Sequence, residues 1–375
     1  MKPSIGLSNL RQIARLGYDG RLVAPTLAHA LESWIGVDSC TLIWVNELCQ
    51  PTNAYAREVR RPDVLSLYLS DFFGRRESDA MPDSAEFLFS SQRSDTAAQY
   101  GERYYRSDFY QLICREIGMF HALRVAIRSG SKPVAVMVLG REQGTRNFSA
   151  KEIAQVHSAR PFFAHALSVE GGLAEEKFVE SSERGIAVID GTGAIQHATP
   201  ETHGLLRLIS GVALGEDIGP AGRHASMHAL LRPLARQAHA SFRQDEQGPP
   251  SLRLRNAWGE FVLRAYPLTC AQAGTSGMTA LTVSRFVPLS IKLLSMPALR
   301  DLPMREKEVC LLLAQGLSTP TIAARMALSP HTITTYIRSL YRRFDVGSRN
   351  ELLIRLLAGG EKDGGHNAHR PGGWN

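Results

Sequence analysis

The chain has 375 residues, 44% of them hydrophobic and 21% charged, long enough for two or three domains, and no run approaches the roughly 18 consecutive apolar residues of a membrane helix. The N-terminal MKPSIGLSNL lacks the apolar core of a secretory signal, and five scattered cysteines without CxxC spacing argue against a disulfide framework and for a reducing, cytoplasmic setting. The net charge of +7 suits a polyanionic partner.

In chain order, Leu22 to Leu31 carries apolar residues at helical spacing, and Thr41 to Val45 is an apolar strand run. Ala122 to Ile127 and Pro133 to Leu139 read as two Val-rich strands joined by a hairpin turn. Ser149 and Glu152 have the spacing of a capping box, with Phe148 placed to staple onto Ile153; the helix they open runs towards Leu167 and meets Pro161 on the way. After Gly171-Gly172 the pattern starts again. Gly185 to Asp190 is a strand, Asp190 to Gly193 a tight turn and Ala194 to Ala198 a return strand. A helix then opens at Pro200, with Leu205, Leu206 and Ile209 on one face. Ser251 to Arg255, Phe261 to Leu268 and Thr279 to Phe286 are further strands. Pro288 to Leu302 reads as a helical linker broken at Pro297, and the tail from Gly359 is too polar to build a core.

The segment from Leu302 to Leu357 holds eight basic and four acidic residues, a balance of +4 and more than half of the whole excess. It reads as four short helices. The first spans about Met304 to Gln315 and ends at Gly316; Ser318 caps the second; Ser329 caps the third, with Pro330 at its first position; and Ser348 to Glu351 form a capping box for the fourth. On a wheel of about 100° per residue, Ile333, Ile337, Leu340, Tyr341 and Phe344 of the third helix gather on one face. His331, Thr334, Thr335, Arg338 and Arg342 gather on the opposite face, which has no carboxylate. A solvated face usually mixes signs. This one offers hydroxyls, an imidazole and guanidiniums, the groups that meet base edges and phosphates. Thr332, Tyr336, Ser339 and Arg343 flank it, within reach of a sugar-phosphate backbone.

This segment resembles the DNA-binding domain of the LuxR/FixJ superfamily, matching in order across about 55 residues. Arg305 to Val309 is similar to the family's opening signature, Leu313 to Ser318 to the end of its scaffold helix, Ile322-Ala323 to its second helix and Thr332 to Thr335 to the start of its recognition helix. Val346 to Arg349 matches the entry to its fourth helix. The resemblance implies a helix-turn-helix over Thr319 to Arg338, with small Ala323 where its helices cross and Ala327, Ile333 and Ile337 in its core pattern. It also implies base contacts at Thr334, Thr335 and Arg338 and dimerisation through the fourth helix; with the outward face of the wheel and its flanks, the candidate DNA contacts are Ser329, His331, Thr332, Thr334, Thr335, Tyr336, Arg338, Arg342 and Arg343. Four departures stand out. Pro303-Met304 replaces the usual Thr or Ser and Pro, Thr334 stands where Lys is common, Tyr336 where His is frequent and Ala327 where Gly is frequent. A left-handed Ala327 would cost about 1 kcal/mol.

Upstream, Glu183 to Leu208 resembles the opening of a PAS domain, and Leu22 to Leu167 is similar in layout to a GAF domain. Trp34, Trp44, Tyr104, Tyr105, Phe109 and Tyr110 can line a ligand pocket or simply build a core. Tyr104 to Asp108 is faintly similar to the acyl-homoserine-lactone receptors, but the full Trp-Tyr-Asp-Pro arrangement is missing. His224 and His228 have the i, i+4 spacing of metal ligands without a third partner. No phosphoreceiver pattern, no GxxxxGK[ST] loop and no nucleophile–base pair is present. The expectation is an α+β multidomain chain: a GAF-like sensor over 1–170, a PAS-like domain over 171–288, a linker over 289–301, an all-α four-helix LuxR-type domain over 302–358 and a disordered tail over 359–375. As a whole it reads as a non-enzymatic, dimeric transcriptional regulator without a cofactor. It would bind the major groove of a pseudo-palindromic duplex, answer to a small-molecule or protein signal, and meet RNA polymerase at the promoter. The alternative is an adaptor whose degenerate helix-turn-helix contacts protein.

Overall fold

The computed structural model describes residues 3–57, 62–171, 177–211, 220–241, 248–270 and 274–359. The chain divides into two compact units, Met1–Val287 and Pro288–Asn375.

The first unit opens with α1 (Pro3–Ala14) and α2 (Gly20–Ile35), then the antiparallel strands β1 (Ser39–Val45) and β2 (Pro51–Ala56). Asp19 caps α2 by accepting from the Arg21 N–H at 2.9 Å, and the left-handed Gly36 ends it. A run of short elements follows: α3 (Pro62–Leu67), α4 (Ser84–Phe89), β3 (Ser94–Thr96) and α5 (Gly101–Arg106), with π-helical turns at Tyr68–Phe72 and Tyr110–Cys114. The expected hairpin is β4 (His121–Ser129) and β5 (Lys132–Arg141), and α6 (Ala150–Leu167) follows. The Ser149–Glu152 capping box is formed, with the Glu152 N–H donating to Ser149 Oγ at 3.3 Å and the Ser149 N–H to Glu152 Oε2 at 2.9 Å. Pro161 lies inside α6, which continues past it to Leu167.

These strands make one sheet in the order β2-β1-β5-β4-β3. Alternation divides its side chains between two faces. Leu42, Leu123, Val125, Ile127, Ala135, Met137 and Leu139 are buried on the face that α2 and α6 cover. Ile43, Ala122, Ala126 and Val136 face the helical segment between β2 and β4.

The second half of this unit holds β6 (Phe178–Ile189), β7 (Ile195–Ala198), α7 (Pro200–Ser210), α8 (Pro220–Ser241), β8 (Ser251–Asn256), β9 (Gly259–Cys270) and β10 (Gly274–Pro288). Its sheet runs β7-β6-β10-β9-β8. With the strands of each sheet counted in chain order, both sheets therefore read 2-1-5-4-3. Leu281 and Val283 are buried as alternation requires, but Ser284 is buried as well.

The two sheets are joined by specific contacts. The Trp258 ring stands edge-on to Trp44 at 5.6 Å and stacks on Tyr55 at 6.3 Å. Arg285, 1% exposed, pairs with Glu183 and donates to the carbonyls of Trp258 at 2.8 Å and Leu22 at 3.1 Å. Every donor direction of this buried guanidinium that is used meets an oxygen from a different element, which offsets its desolvation.

The second unit is helical: α9 (Leu289–Ser295), α10 (Pro297–Arg300), α11 (Met304–Ala314), α12 (Thr319–Met326), α13 (Pro330–Phe344) and α14 (Arg349–Gly359). The stretch expected as a linker contains two buried helical turns, with Leu289, Ile291, Leu293, Leu294 and Leu299 inside and α9 against α11. The helix break at Pro297 falls where expected, with Met296 extended between α9 and α10. No described helix is long and apolar enough to cross a membrane. Residues 360–375 of the expected tail and the side chain of His224 lie outside the described residues.

Candidate nucleic-acid interface

Helices α11 to α13 pack on one another through a small core. Val309, Cys310, Leu313, Ile322, Ala323, Ile333 and Leu340 are buried, while Ile337 is half-buried. Ala323, 3% exposed, sits in the middle of α12, where a larger side chain would push α13 away. The caps follow the sequence. Ser318 Oγ accepts from the Thr321 N–H at 3.4 Å, and Ser329 Oγ from the Thr332 N–H at 3.0 Å. α11 starts at Pro303 with no side-chain cap, as the missing hydroxyl implies. In the last box Ser348 Oγ accepts from the Glu351 N–H, while Glu351 reaches one residue further back, to the Gly347 N–H at 2.8 Å. Gly316 ends the scaffold helix at a φ of +93°, and a Cβ there would sit 3.1 Å from Arg349 Nη2.

The turn between α12 and α13 depends on Ala327, which is exposed and left-handed at φ 53° and ψ 44°. Its conformation lets the Leu328 N–H return to the Ala323 carbonyl at 3.0 Å, closing α12 so that α13 can leave in a new direction.

On α13, His331, Thr335, Arg338 and Arg342 are exposed and Thr334 is half-buried at the edge of the same face. Arg343 is exposed, and Thr332, Tyr336 and Ser339 are half-buried at the flanks. Among the described residues no carboxylate pairs with Arg338, Arg342 or Arg343, whereas Arg305 on α11 is tied to Glu308 at 3.0 Å. The face thus carries three unneutralised guanidiniums. Thr334 Oγ1 donates to the Pro330 carbonyl at 2.9 Å and Thr335 Oγ1 to the His331 carbonyl at 3.1 Å. Their hydroxyl protons are engaged, so each side chain offers a partner only oxygen lone pairs and a methyl group.

Ser339, expected to flank the interface, instead turns inward and donates to Glu306 Oε1 at 2.8 Å. The sequence carried no signal for this bond, because its ends lie 33 residues apart. Elsewhere, no group of three or more His, Cys, Asp or Glu among the described residues could hold a metal.

Residues 301–356 match the family described as bacterial regulatory proteins, luxR family. No curated protein matches the chain. Among solved structures, Escherichia coli SdiA is 10% identical over 89% of this chain and 89% of its own, with a TM-score of 0.26. The phage VqmA–DPO complex is 19% identical over 48% of this chain and 84% of its own, with a TM-score of 0.17. The VqmA dimer of Vibrio cholerae, described among LuxR-type receptors, is 20% identical over 47% and 82%, with a TM-score of 0.17. Scores this low say nothing about the arrangement of the whole chain. The helical core, the two caps and the ordered motif agree with the family match: residues 301–356 are a helix-turn-helix domain of the luxR family.

Proposed function

We propose that this chain is a sequence-specific, dimeric transcriptional regulator, in which α13 reads the major groove and the Met1–Val287 unit senses a signal. The observation that carries the reading is the exposed, carboxylate-free face of α13, with Arg338, Arg342 and Arg343 unpaired. Arg338 lies mid-stripe and reads a base edge, with the Thr334 and Thr335 methyls and acceptor oxygens beside it. Arg342 and Arg343, one turn further on, neutralise phosphates; His331, Tyr336 and the capped start at Ser329 and Thr332 fix the helix on the backbone. Two copies joined through α14 would place their recognition helices about 34 Å apart on a pseudo-palindrome. The identical strand order of the two sheets supports a tandem GAF-like and PAS-like sensor, and the promoter-bound dimer would work alongside RNA polymerase in the cytoplasm.

The test is genome-wide footprinting of the full chain, followed by titration of the recovered sites at increasing salt. Protected sites with two half-sites, bound less tightly as salt rises, are expected. Binding that ignores salt, or no protected site at all, would overturn the reading in favour of a protein-contacting adaptor.

A further inference from the structure

Between the first sheet and the helical segment over it lies a cavity of about 160 Å³. Its floor is the sheet face bearing Thr41, Val138, Gly140, Ala122 and Arg124. Thr41 and Arg124 both pair with Val138, and Ala122 pairs with Gly140, so these positions share one surface. The small Ala122 leaves space above the floor. Met119 closes in over Gly140 so tightly that a Cβ there would meet its Cγ and Sδ at 2.9 Å. Tyr68, Tyr104 and Phe109 supply aromatic wall from above.

Two buried polar atoms of its lining residues are left over, Glu32 Oε1 on α2 and one nitrogen of Arg124. Asp95 stands opposite Arg124 in the β3–β4 register and accepts from its Nε at 3.1 Å and its Nη2 at 2.6 Å. The Tyr100 hydroxyl donates to the same carboxylate at 2.8 Å. Arg124 is 3% exposed and lies over the Phe87 ring, its Cζ 4.2 Å from the centroid. Its remaining nitrogen, Nη1, is buried and has no hydrogen-bond partner. A buried guanidinium donor left unmade is costly, and at a cavity wall a ligand acceptor would satisfy it.

The local charge limits what that ligand can be. Glu77, fully buried behind Tyr68, accepts from the Tyr68 hydroxyl at 2.7 Å, from Ser84 Oγ at 2.7 Å and from the N–H groups of Ser84 and Gly74. Four donors and no acceptor is the pattern of a carboxylate. Among the lining residues the carboxylates Glu32, Asp38, Asp95 and Glu142 already outnumber the guanidiniums Arg57, Arg124 and Arg141, with Glu77 adding one more behind the wall, and a further buried anion would be repelled. Size is limiting too, since a cavity of roughly 150 Å³ admits a benzene ring.

We propose that this cavity is the signal site, and that it takes a compact neutral molecule, a ring or short branched chain bearing one carbonyl-type oxygen that accepts from Arg124 Nη1. The proposal rests on reading the first unit as the sensing part of the regulator.

The test is isothermal titration of the full chain, without DNA, against acetophenone, its hydrocarbon counterpart ethylbenzene and benzoate. Acetophenone should bind about tenfold or more tighter than ethylbenzene, with benzoate weakest. Val138→Phe, which fills the floor and leaves Arg124 in place, should abolish binding of both neutral probes. Arg124→Met should bring the ketone and hydrocarbon to near parity; should that variant fail to fold, the wild-type ratio and Val138→Phe still decide. No binding by folded wild-type protein, equal binding of ketone and hydrocarbon, or tightest binding of benzoate would each overturn the proposal. DNA binding by the same preparations is scored separately. Lost operator binding with acetophenone binding intact sinks the regulator reading alone, and the reverse sinks this one alone.

Discussion

Ser339 Oγ on the recognition helix donates to Glu306 Oε1 on the scaffold helix at 2.8 Å, and Glu306 Oε2 is buried with no partner of its own. This bond fixes how α13 is rotated about its axis, and so which residues it turns outward. Ser339→Ala would leave both carboxylate oxygens unpartnered. The expected loss is about 1–3 kcal/mol of stability, seen as a lower midpoint in urea unfolding of the full chain. Glu306→Gln, which keeps an acceptor for the same bond, should lose less. Equal stability of wild type and Ser339→Ala would show that the bond does not hold the helix.

Arg338→Ala should weaken binding to a footprinted site by about 1–3 kcal/mol while leaving random duplex nearly unaffected, which is the loss of a base contact. Arg342→Ala should instead weaken both duplexes together and lower the slope of affinity against salt by about one ion. Fluorescence anisotropy at several salt concentrations separates the two. If Arg338→Ala lost specific and random binding equally, Arg338 would be a phosphate contact.

Ala327 is exposed, so its side chain contributes no packing to offset the left-handed backbone. Ala327→Gly should raise stability by roughly 0.5–1 kcal/mol, the strain relieved less the extra freedom of glycine in the unfolded chain. Calorimetry of the two proteins would measure it, and a destabilised variant would mean that the turn is not held left-handed.

The parts legible in the sequence were those written in short-range code. The Ser149–Glu152 box, the Val-rich hairpin and the acid-free face of α13 are all set by residues within a few turns of one another, and the structure has each of them. Residues 62–114 fold into helical turns of four to six residues, two of them π-helical, and the three-residue strand β3, all too short for any period to emerge. The cavity was half visible. Tyr104 and Phe109 line it, but Trp34, Trp44, Tyr105 and Tyr110 are not among its lining residues. Trp44 points to the other face of β1, where its Nε1 donates to the Leu167 carbonyl at 3.3 Å. Arg124 gave no warning, because an Arg within a Val-rich strand reads as a solvent-facing position until Asp95, 29 residues away, pairs with it.

Glu152 offers a pH test of the first unit. Burial would raise its pKa, but hydrogen bonds from Arg141, Arg146 and Ser149 overcome that and hold it well below the usual carboxylate range. A depressed folded-state pKa contributes stability that is complete above the unfolded value and fades as pH falls below it. Glu152→Gln should therefore cost about 3 kcal/mol near neutrality and progressively less below about pH 4.5. Thermal unfolding of both proteins from pH 3 to 7 checks this, and a gap that stays constant across the range would rule out the ion pairs as its source.

Lys307 predicts the opposite slope for the second unit. It is 1% exposed, and its Nζ donates to the Arg300 carbonyl at 3.3 Å. Burial pulls its pKa down to about 8, helped by Arg300 and opposed by Asp301. The folded state thus gives up the proton more readily than the unfolded chain, whose lysine titrates near 10.4, and stability rises as pH climbs from about 8 towards 10. Below pH 8 the full cost of the buried charge is present. Lys307→Met, of similar length and without the charge, should stabilise the helical unit near neutrality by roughly 2 kcal/mol, and the gap should close towards pH 10 as wild type loses its proton. Calorimetric unfolding of the full chain between pH 6 and 10 measures both effects. A Lys307→Met protein less stable than wild type at pH 7 would show that the bond to the Arg300 carbonyl outweighs the charge it keeps out of water.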